Sequence, residues 1–286
     1  MRRLAPLVFL LGCVDAPDVD SIAQPVVAYC EVMVQGQPAP IDIETDYLPH
    51  VVNCENGGAA FEALKAQAVA ARTYLYYKLD RSGTIADGTS DQVYSCGREP
   101  REEIYEAVRQ TEGVVLQYTG RTIAGFFVAG SRNQPPPECR GSTDDPTNTE
   151  RYVTYNEGLS GDGITQTRLG FVDPTNLYNR GCLSQNGSHC LAGVGYGYED
   201  MLRFYYGADI EIVVAEGSCV EPPDAGVETP DAGFDAALET PDAGPSVEVV
   251  APSGTGGSLS SGCAAGGASG LGCWLLLALA LPRRRR

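Results

Sequence analysis

"YLPHVVNCENGGAAFEALKAQAVAARTY" occupies residues 47–74, and its reading decides the fold. From Phe61 to Asp80 the chain has no Gly or Pro, and alanine stands at 63, 66, 68, 70 and 71. Alanine is the strongest helix former, so this stretch predicts a long helix. So little side-chain bulk on any face lets neighbours come close, which places the helix in the interior. Ahead of it, "YLPHVVNCE" is a short apolar run of strand-like character. Glu55 falls between the two and has two readings. An acid ahead of a helix is commonly a helix-start charge favoured by the positive end of the dipole. It can also be the working acid of an enzyme.

Working outward, "PVVAYCEVMVQG" (25–36) reads as a strand with valines at near alternation. "PREEIYEAVRQTEG" (100–113) reads as a helix, with acids in its first turn and Gly113 after it. "GVVLQYTGRTIAGFFVAG" (113–130) predicts a hairpin around "YTGR". "GYEDMLRFYYG" (197–207) predicts a third helix closed by Gly207, and "ADIEIVV" (208–214) a strand. Helices and hairpins in mixed order imply an α+β fold. The expectation is a mixed, mainly antiparallel sheet around the buried alanine-rich helix, in a single disulfide-supported domain over 25–219.

The chain has 286 residues and a formal charge of −17, which argues against a nucleic-acid partner because phosphate binding needs a basic face. Ten cysteines point to an oxidising compartment. "MRRLAPLVFLLGC" (1–13) has the layout of a secretory signal: two arginines, a short apolar core and a small residue before Cys13. Residues 14–24 read as a short linker. Residues 220–261 read as an acidic stalk, with "PDAG" at Pro223, Pro230 and Pro241 and too few large apolar residues to fold. Residues 262–286 have no charge until four closing arginines, about the length that spans a bilayer.

With the helix and its neighbours in place, a family resemblance appears. "EALKAQAVAARTY" (62–74), preceded by "YLPHVVNCE", closely resembles the signature of the SpoIID/LytB family. "DQVYSCG" (91–97), "AVRQTEGVVLQYTGRTIAGFF" (107–127), "NRGCLSQNG" (179–187) and "GYEDMLRFYYGADI" (197–210) resemble the family's later segments in the same order. The resemblance implies a lytic transglycosylase acting on peptide-free glycan strands of peptidoglycan, or a non-catalytic glycan-binding enhancer of cell-wall amidases. It assigns Glu55 as the catalytic acid. It marks Ser184 and Gln185 as cleft residues, with Gln92 and Tyr94 as further candidates. Gln67 and Arg72, polar members of the alanine-rich helix, are candidates for buried contacts that orient Glu55. Lys65 reads as part of a solvated stripe, Glu62 as structural, and Tyr74, Tyr76 and Tyr77 as packing. Ser131 keeps the first place of a family loop of the type Ser-x-Gly-Gly-x-Thr. Here that loop reads "VAGSRNQPPPECRGSTDD" (128–145) instead, a departure that favours the binding role.

Both ends also resemble known signals. "LLGC" resembles a bacterial lipobox, which implies a lipid on Cys13; a plain signal peptide is the alternative. The glycine-rich start, Cys263 and the arginine end resemble the C-terminal sorting tail of myxobacterial surface proteins; an ordinary membrane anchor is the alternative. Together they imply export to the surface or outer membrane of a Gram-negative cell of that type, held through lipid or tail. Between the two signals lie Cys30, 54, 96, 139, 182, 190 and 219, an odd number, so at least one is free or pairs between chains. Cys182 with Cys190 could close a small loop, Cys30 with Cys219 could tie the ends of the body, and Cys54 could staple the site. No cofactor is expected. Cys182, His189 and Cys190 are the zinc candidates, at a spacing that fits no standard pattern.

Overall fold

The computed structural model describes residues 25–220, and the two terminal signals, Cys13, Cys263 and the stalk from 221 onward lie outside them. The alanine-rich stretch forms helix α2, Phe61–Ser82, closed by Gly83 in the left-handed region at φ 68°. Ala63, Leu64, Ala66, Ala68, Val69, Ala70 and Ala71 are all fully buried. Small side chains on every face let α2 serve as the axis of the domain. Gly125 shows how close the approach is, since a Cβ there would come within 2.6 Å of the Ala70 carbonyl oxygen.

The run ahead of α2 is itself helical. A π-helical turn, Ile43–Tyr47, leads into helix α1, Leu48–Asn56. The strand-like reading of residues 47–55 is therefore corrected. Leu48, Val51 and Val52 return at helical spacing, and all are fully buried. Pro49 sits in the first turn, where its missing N–H costs no hydrogen bond. The strand expected over 25–36 is reduced to β1, Glu31–Val32, paired with β2, Ile41–Asp42, plus isolated bridges at Val27 and Val34.

Helix α3, Glu102–Arg109, packs on α2 and is followed by β3, Val114–Tyr118, and β4, Arg121–Thr122, which form the expected hairpin. Strand β5, Phe126–Val128, leaves that hairpin and pairs in parallel with β6, Cys182–Ser184. Helix α4, Gln185–Gly193, continues directly from β6; the sequence reading had no element there. Helix α5, Tyr198–Tyr206, ends at Gly207, and β7, Glu211–Val214, pairs antiparallel with β3 to give a three-stranded sheet in the order β4-β3-β7. The fold is α+β, with antiparallel pairing dominant. Among the described residues no helix is long and apolar enough to cross a membrane.

Three disulfides hold this body. Cys30–Cys219 ties its two ends, as expected. Cys54 bonds Cys96, and Cys139 bonds Cys190. The Cys182–Cys190 loop is thus overturned: Cys190, on α4, meets the loop that follows β5. Cys182 remains a buried free thiol, and burial pushes its pKa far up. It is the odd cysteine.

Candidate functional site

Glu55 lies at the C-terminal end of α1, not at the start of a helix. The chain turns through Gly57 and Gly58 and re-enters helix at Phe61. Glu55 thus sits in the last turn of α1, outside the first turn of α2. Burial raises its carboxyl above the ordinary Glu range. Two hydrogen bonds act in the opposite sense. The Val93 N–H donates to Oε1 at 2.8 Å, and Gln185 Nε2 approaches Oε2 at 3.4 Å.

Each donor is held by its own framework. Val93 belongs to the 91–97 segment, which Cys54–Cys96 staples next to Glu55. Gln92, fully buried, bolts the same segment in place. Its Oε1 accepts from the Tyr47 hydroxyl at 2.9 Å and its Nε2 donates to the Ala71 carbonyl at 3.0 Å. Tyr94 stacks on Tyr47 and donates to Asp46 Oδ1 at 2.9 Å. Burial and Asp46 push its hydroxyl up to about 12. Gln185 opens α4, whose first turn is capped by Ser184 Oγ accepting from the Gly187 N–H at 3.0 Å. Cys139–Cys190 fastens α4 to the loop after β5.

Glu55 opens onto a cleft of about 670 Å³ lined by Arg98, Glu99, Arg101, Asn186 and His189 among others. His189 Nδ1 accepts from the Ala60 N–H at 2.9 Å, which leaves its exposed Nε2 as the protonated nitrogen when the ring is neutral. Arg101 donates to the Gly57 carbonyl at 2.7 Å and so fixes the turn after Glu55. The sequence reading did not single out Asn186, Arg98 or Arg101. The one available signal was position: Asn186 follows Gln185, and Arg98 follows the "DQVYSCG" segment.

Two candidates serve elsewhere. Arg72 is fully buried and binds Glu44 through Nε at 2.7 Å and Nη2 at 2.5 Å, with Nη1 on the Val114 carbonyl at 3.2 Å. Its bonds are to Glu44 and β3, so the idea that it orients Glu55 is corrected. Gln67 is also fully buried, and neither of its amide atoms has a hydrogen-bond partner among the described residues. Ser131 is buried and organises the altered loop. Its N–H donates to Glu150 Oε2 at 2.5 Å and its Oγ accepts from the Asn133 N–H at 3.2 Å. Glu150, which the sequence reading missed, is 3% exposed and also accepts from Gln134 and from the Tyr155 hydroxyl. The loop that departs from the family pattern is thus built around a buried carboxylate.

Of the zinc candidates, Cys190 is in a disulfide and Cys182 is buried beside β5, so the three do not form a ligand set. Lys65, expected on a solvated stripe, is partly buried: it pairs with Glu62 at 2.6 Å and lies 5.0 Å from the Tyr198 ring centre. Glu62 also accepts from the Tyr198 N–H at 2.9 Å, the structural role expected of it. Tyr76 and Tyr77 are buried, and Tyr74 donates to Asp91 at 2.8 Å.

Residues 39–118 match the SpoIID family, described as stage II sporulation protein, and this segment carries Glu55, α1, α2 and the Val93 donor. The likeness to that family rests on this segment, which is less than half of the chain. The chain is 44% identical over 69 residues to the amidase enhancer of Bacillus subtilis (strain 168), covering 24% of this chain and 9% of that one. It is 35% identical over 92 residues to an uncharacterized protein of Brachyspira hyodysenteriae, covering 30% of this chain and 23% of that one. The chain thus spans less than a quarter of either relative.

A stability consequence follows from the raised carboxyl. A group whose folded pKa lies above its unfolded value is neutral at no cost below the unfolded pKa. It destabilises the fold as pH rises through the folded pKa. Replacing Glu55 by Gln removes a partly buried charge. The Glu55→Gln protein is therefore expected to melt at a higher temperature than wild type at pH 7, with the difference closing toward pH 4. Melting curves across that range check it. A variant less stable than wild type at pH 7 would show that the charge is stabilised in place.

Proposed function

We propose that the protein is a lytic transglycosylase of peptidoglycan, cutting peptide-free glycan strands with Glu55 as its single acid/base. The observation that carries this reading is the Glu55 carboxyl itself. It stands at the edge of an open cleft, raised by burial, with one oxygen fixed by a backbone N–H. An amide N–H can only donate, so Oε1 is committed as an acceptor and the acidic proton belongs on Oε2. That oxygen lies 3.4 Å from Gln185 Nε2, a long contact.

The chemistry needs no positioned water. Glu55 gives its proton to the glycosidic oxygen as the bond to the muramic anomeric carbon breaks. The 6-hydroxyl of the same sugar attacks that carbon and returns its proton to the Glu55 carboxylate, so the enzyme ends as it began. Glycoside hydrolysis would ask for a second held carboxylate. The other acid lining the cleft, Glu99, is 88% exposed and lies 3.7 Å from His50.

A second reading, a non-catalytic glycan-binding partner of a cell-wall amidase, draws on the relative named amidase enhancer and on the altered 131–142 loop. Three disulfides favour an oxidising compartment, in keeping with an exported protein held at a membrane by a lipid on Cys13 or by its C-terminal tail.

Mass spectrometry of products from peptide-free glycan strands tests the proposal, with anhydro-muramic ends as the expected result. Binding without new ends would move the protein to the second reading. The reaction starts from protonated Glu55, so the rate is expected to fall as pH rises through its raised pKa. Gln185 stabilises the carboxylate, so its loss raises that pKa further. In Gln185→Leu the alkaline limb of the rate profile is expected to move to higher pH, with the rate reduced about tenfold. A limb that stays in place would sink this role for Gln185.

A further inference from the structure

Arg81 lies in the last turn of α2, at the end opposite Glu55; the helix has 22 residues and runs about 33 Å. Its guanidinium carbon is 3.6 Å from the Tyr77 ring centre and 4.2 Å from that of Tyr178, and Nη1 donates to the Tyr77 carbonyl at 2.7 Å. Two rings and one hydrogen bond fix the fork while leaving most of its N–H donors uncommitted. Arg81, Arg121, Gln117, Tyr29 and Tyr178 line a cleft of about 620 Å³.

Three features give this cleft a chemistry. Among the described residues neither Arg81 nor Arg121 is paired with a carboxylate, in a chain of net charge −17. Gln117, on β3, is only 6% exposed, yet its side-chain amide has no hydrogen-bond partner among the described residues. Gln117 lines the cleft. Asp80 also lines the cleft, its Oδ1 accepting from the Tyr29 hydroxyl at 2.6 Å, so the two arginines outnumber the carboxylate there.

We propose that this cleft binds the carboxyl terminus of a peptide. A carboxylate matches the planar fork of Arg81, with Arg121 adding a second positive charge. A backbone amide next to that carboxylate offers one donor and one acceptor, the complement of the Gln117 side chain. The tyrosine rings supply walls for small apolar side chains. A neighbouring cleft of about 380 Å³ shares Arg81, Arg121 and Tyr178 and contains Phe171, 37% exposed, which extends the apolar surface. The site is separate from the Glu55 cleft and stands whether or not the glycan reading does.

Calorimetric titration of the full oxidised chain tests it, with N-acetyl-alanyl-alanine, its C-terminal amide, acetate and inorganic phosphate as probes. The acetylated dipeptide is expected to bind saturably, and its amide about tenfold more weakly. Arg121→Gln is expected to weaken the dipeptide about tenfold with the melting temperature unchanged, because Arg121 is exposed and makes no ion pair. Gln117→Leu should bring the dipeptide down to the affinity of acetate. Equal binding of the dipeptide and its amide would overturn the proposal. So would acetate or phosphate matching the dipeptide, or no saturable heat up to about 10 mM.

Discussion

Glu55→Gln is expected to cut the formation of anhydro-muramic ends by about a hundred- to ten-thousand-fold, the usual worth of a positioned general acid or base. Glutamine preserves the size of the side chain. Its amide oxygen can still accept from the Val93 N–H that now bonds Oε1 at 2.8 Å. Only the transferable proton is lost, so glycan binding should stay within a few-fold of wild type. Glu55→Asp makes the complementary test. It retains the acid but withdraws it by one methylene from a cleft whose donors sit on two disulfide-stapled frameworks. Mispositioning of that order costs about a hundredfold. Single-turnover product analysis alongside a binding measurement separates the outcomes. Full activity in Glu55→Gln would remove Glu55 from the chemistry. Inactivity of all three proteins with binding retained would leave a glycan-gripping cleft.

What could be read from sequence follows from the physics of each signal. The alanine run of α2 was legible because propensity and the absence of Gly and Pro act locally over twenty residues. The hairpin at "YTGR" and the stop at Gly207 were legible because turn chemistry is local too. Residues 47–55 were misread because nine residues with two adjacent valines satisfy strand and helix patterns alike. That error mattered for the site. It hid the helix that ends at Asn56 and carries Glu55 in its last turn, six residues ahead of α2. The Val93 donor could not have been found, because a backbone N–H carries no residue signature. Gln185 was found through the family motif alone. The partner of Cys190 depends on where the 131–142 loop returns, and spacing in sequence carries no information on that.

Arg72→Met is expected to cost about 3–5 kcal/mol, the range for removing one partner of a buried ion pair. For a domain of this size that lowers the melting temperature by about 2–4 °C per kcal/mol. The magnitude follows from what is left behind. The Arg72 side chain is 0% exposed and that of Glu44 only 10%. Without the guanidinium, Glu44 retains among the described residues only the long approach of the Gly113 N–H at 3.5 Å, and the Val114 carbonyl loses one of the side-chain contacts that tie β3 to α2. A carboxylate stranded in that position is the larger part of the loss. The double replacement Arg72→Met with Glu44→Leu is therefore expected to recover most of it, because an apolar pair of similar volume carries no desolvation penalty. Urea unfolding of wild type, both single variants and the double variant measures the coupling directly. The same set separates scaffold from site. If Arg72 serves only the α2–β3 frame, the double variant should cleave glycan at close to the wild-type rate well below its melting temperature. A double variant that is stable but inactive would return Arg72 to the Glu55 cleft.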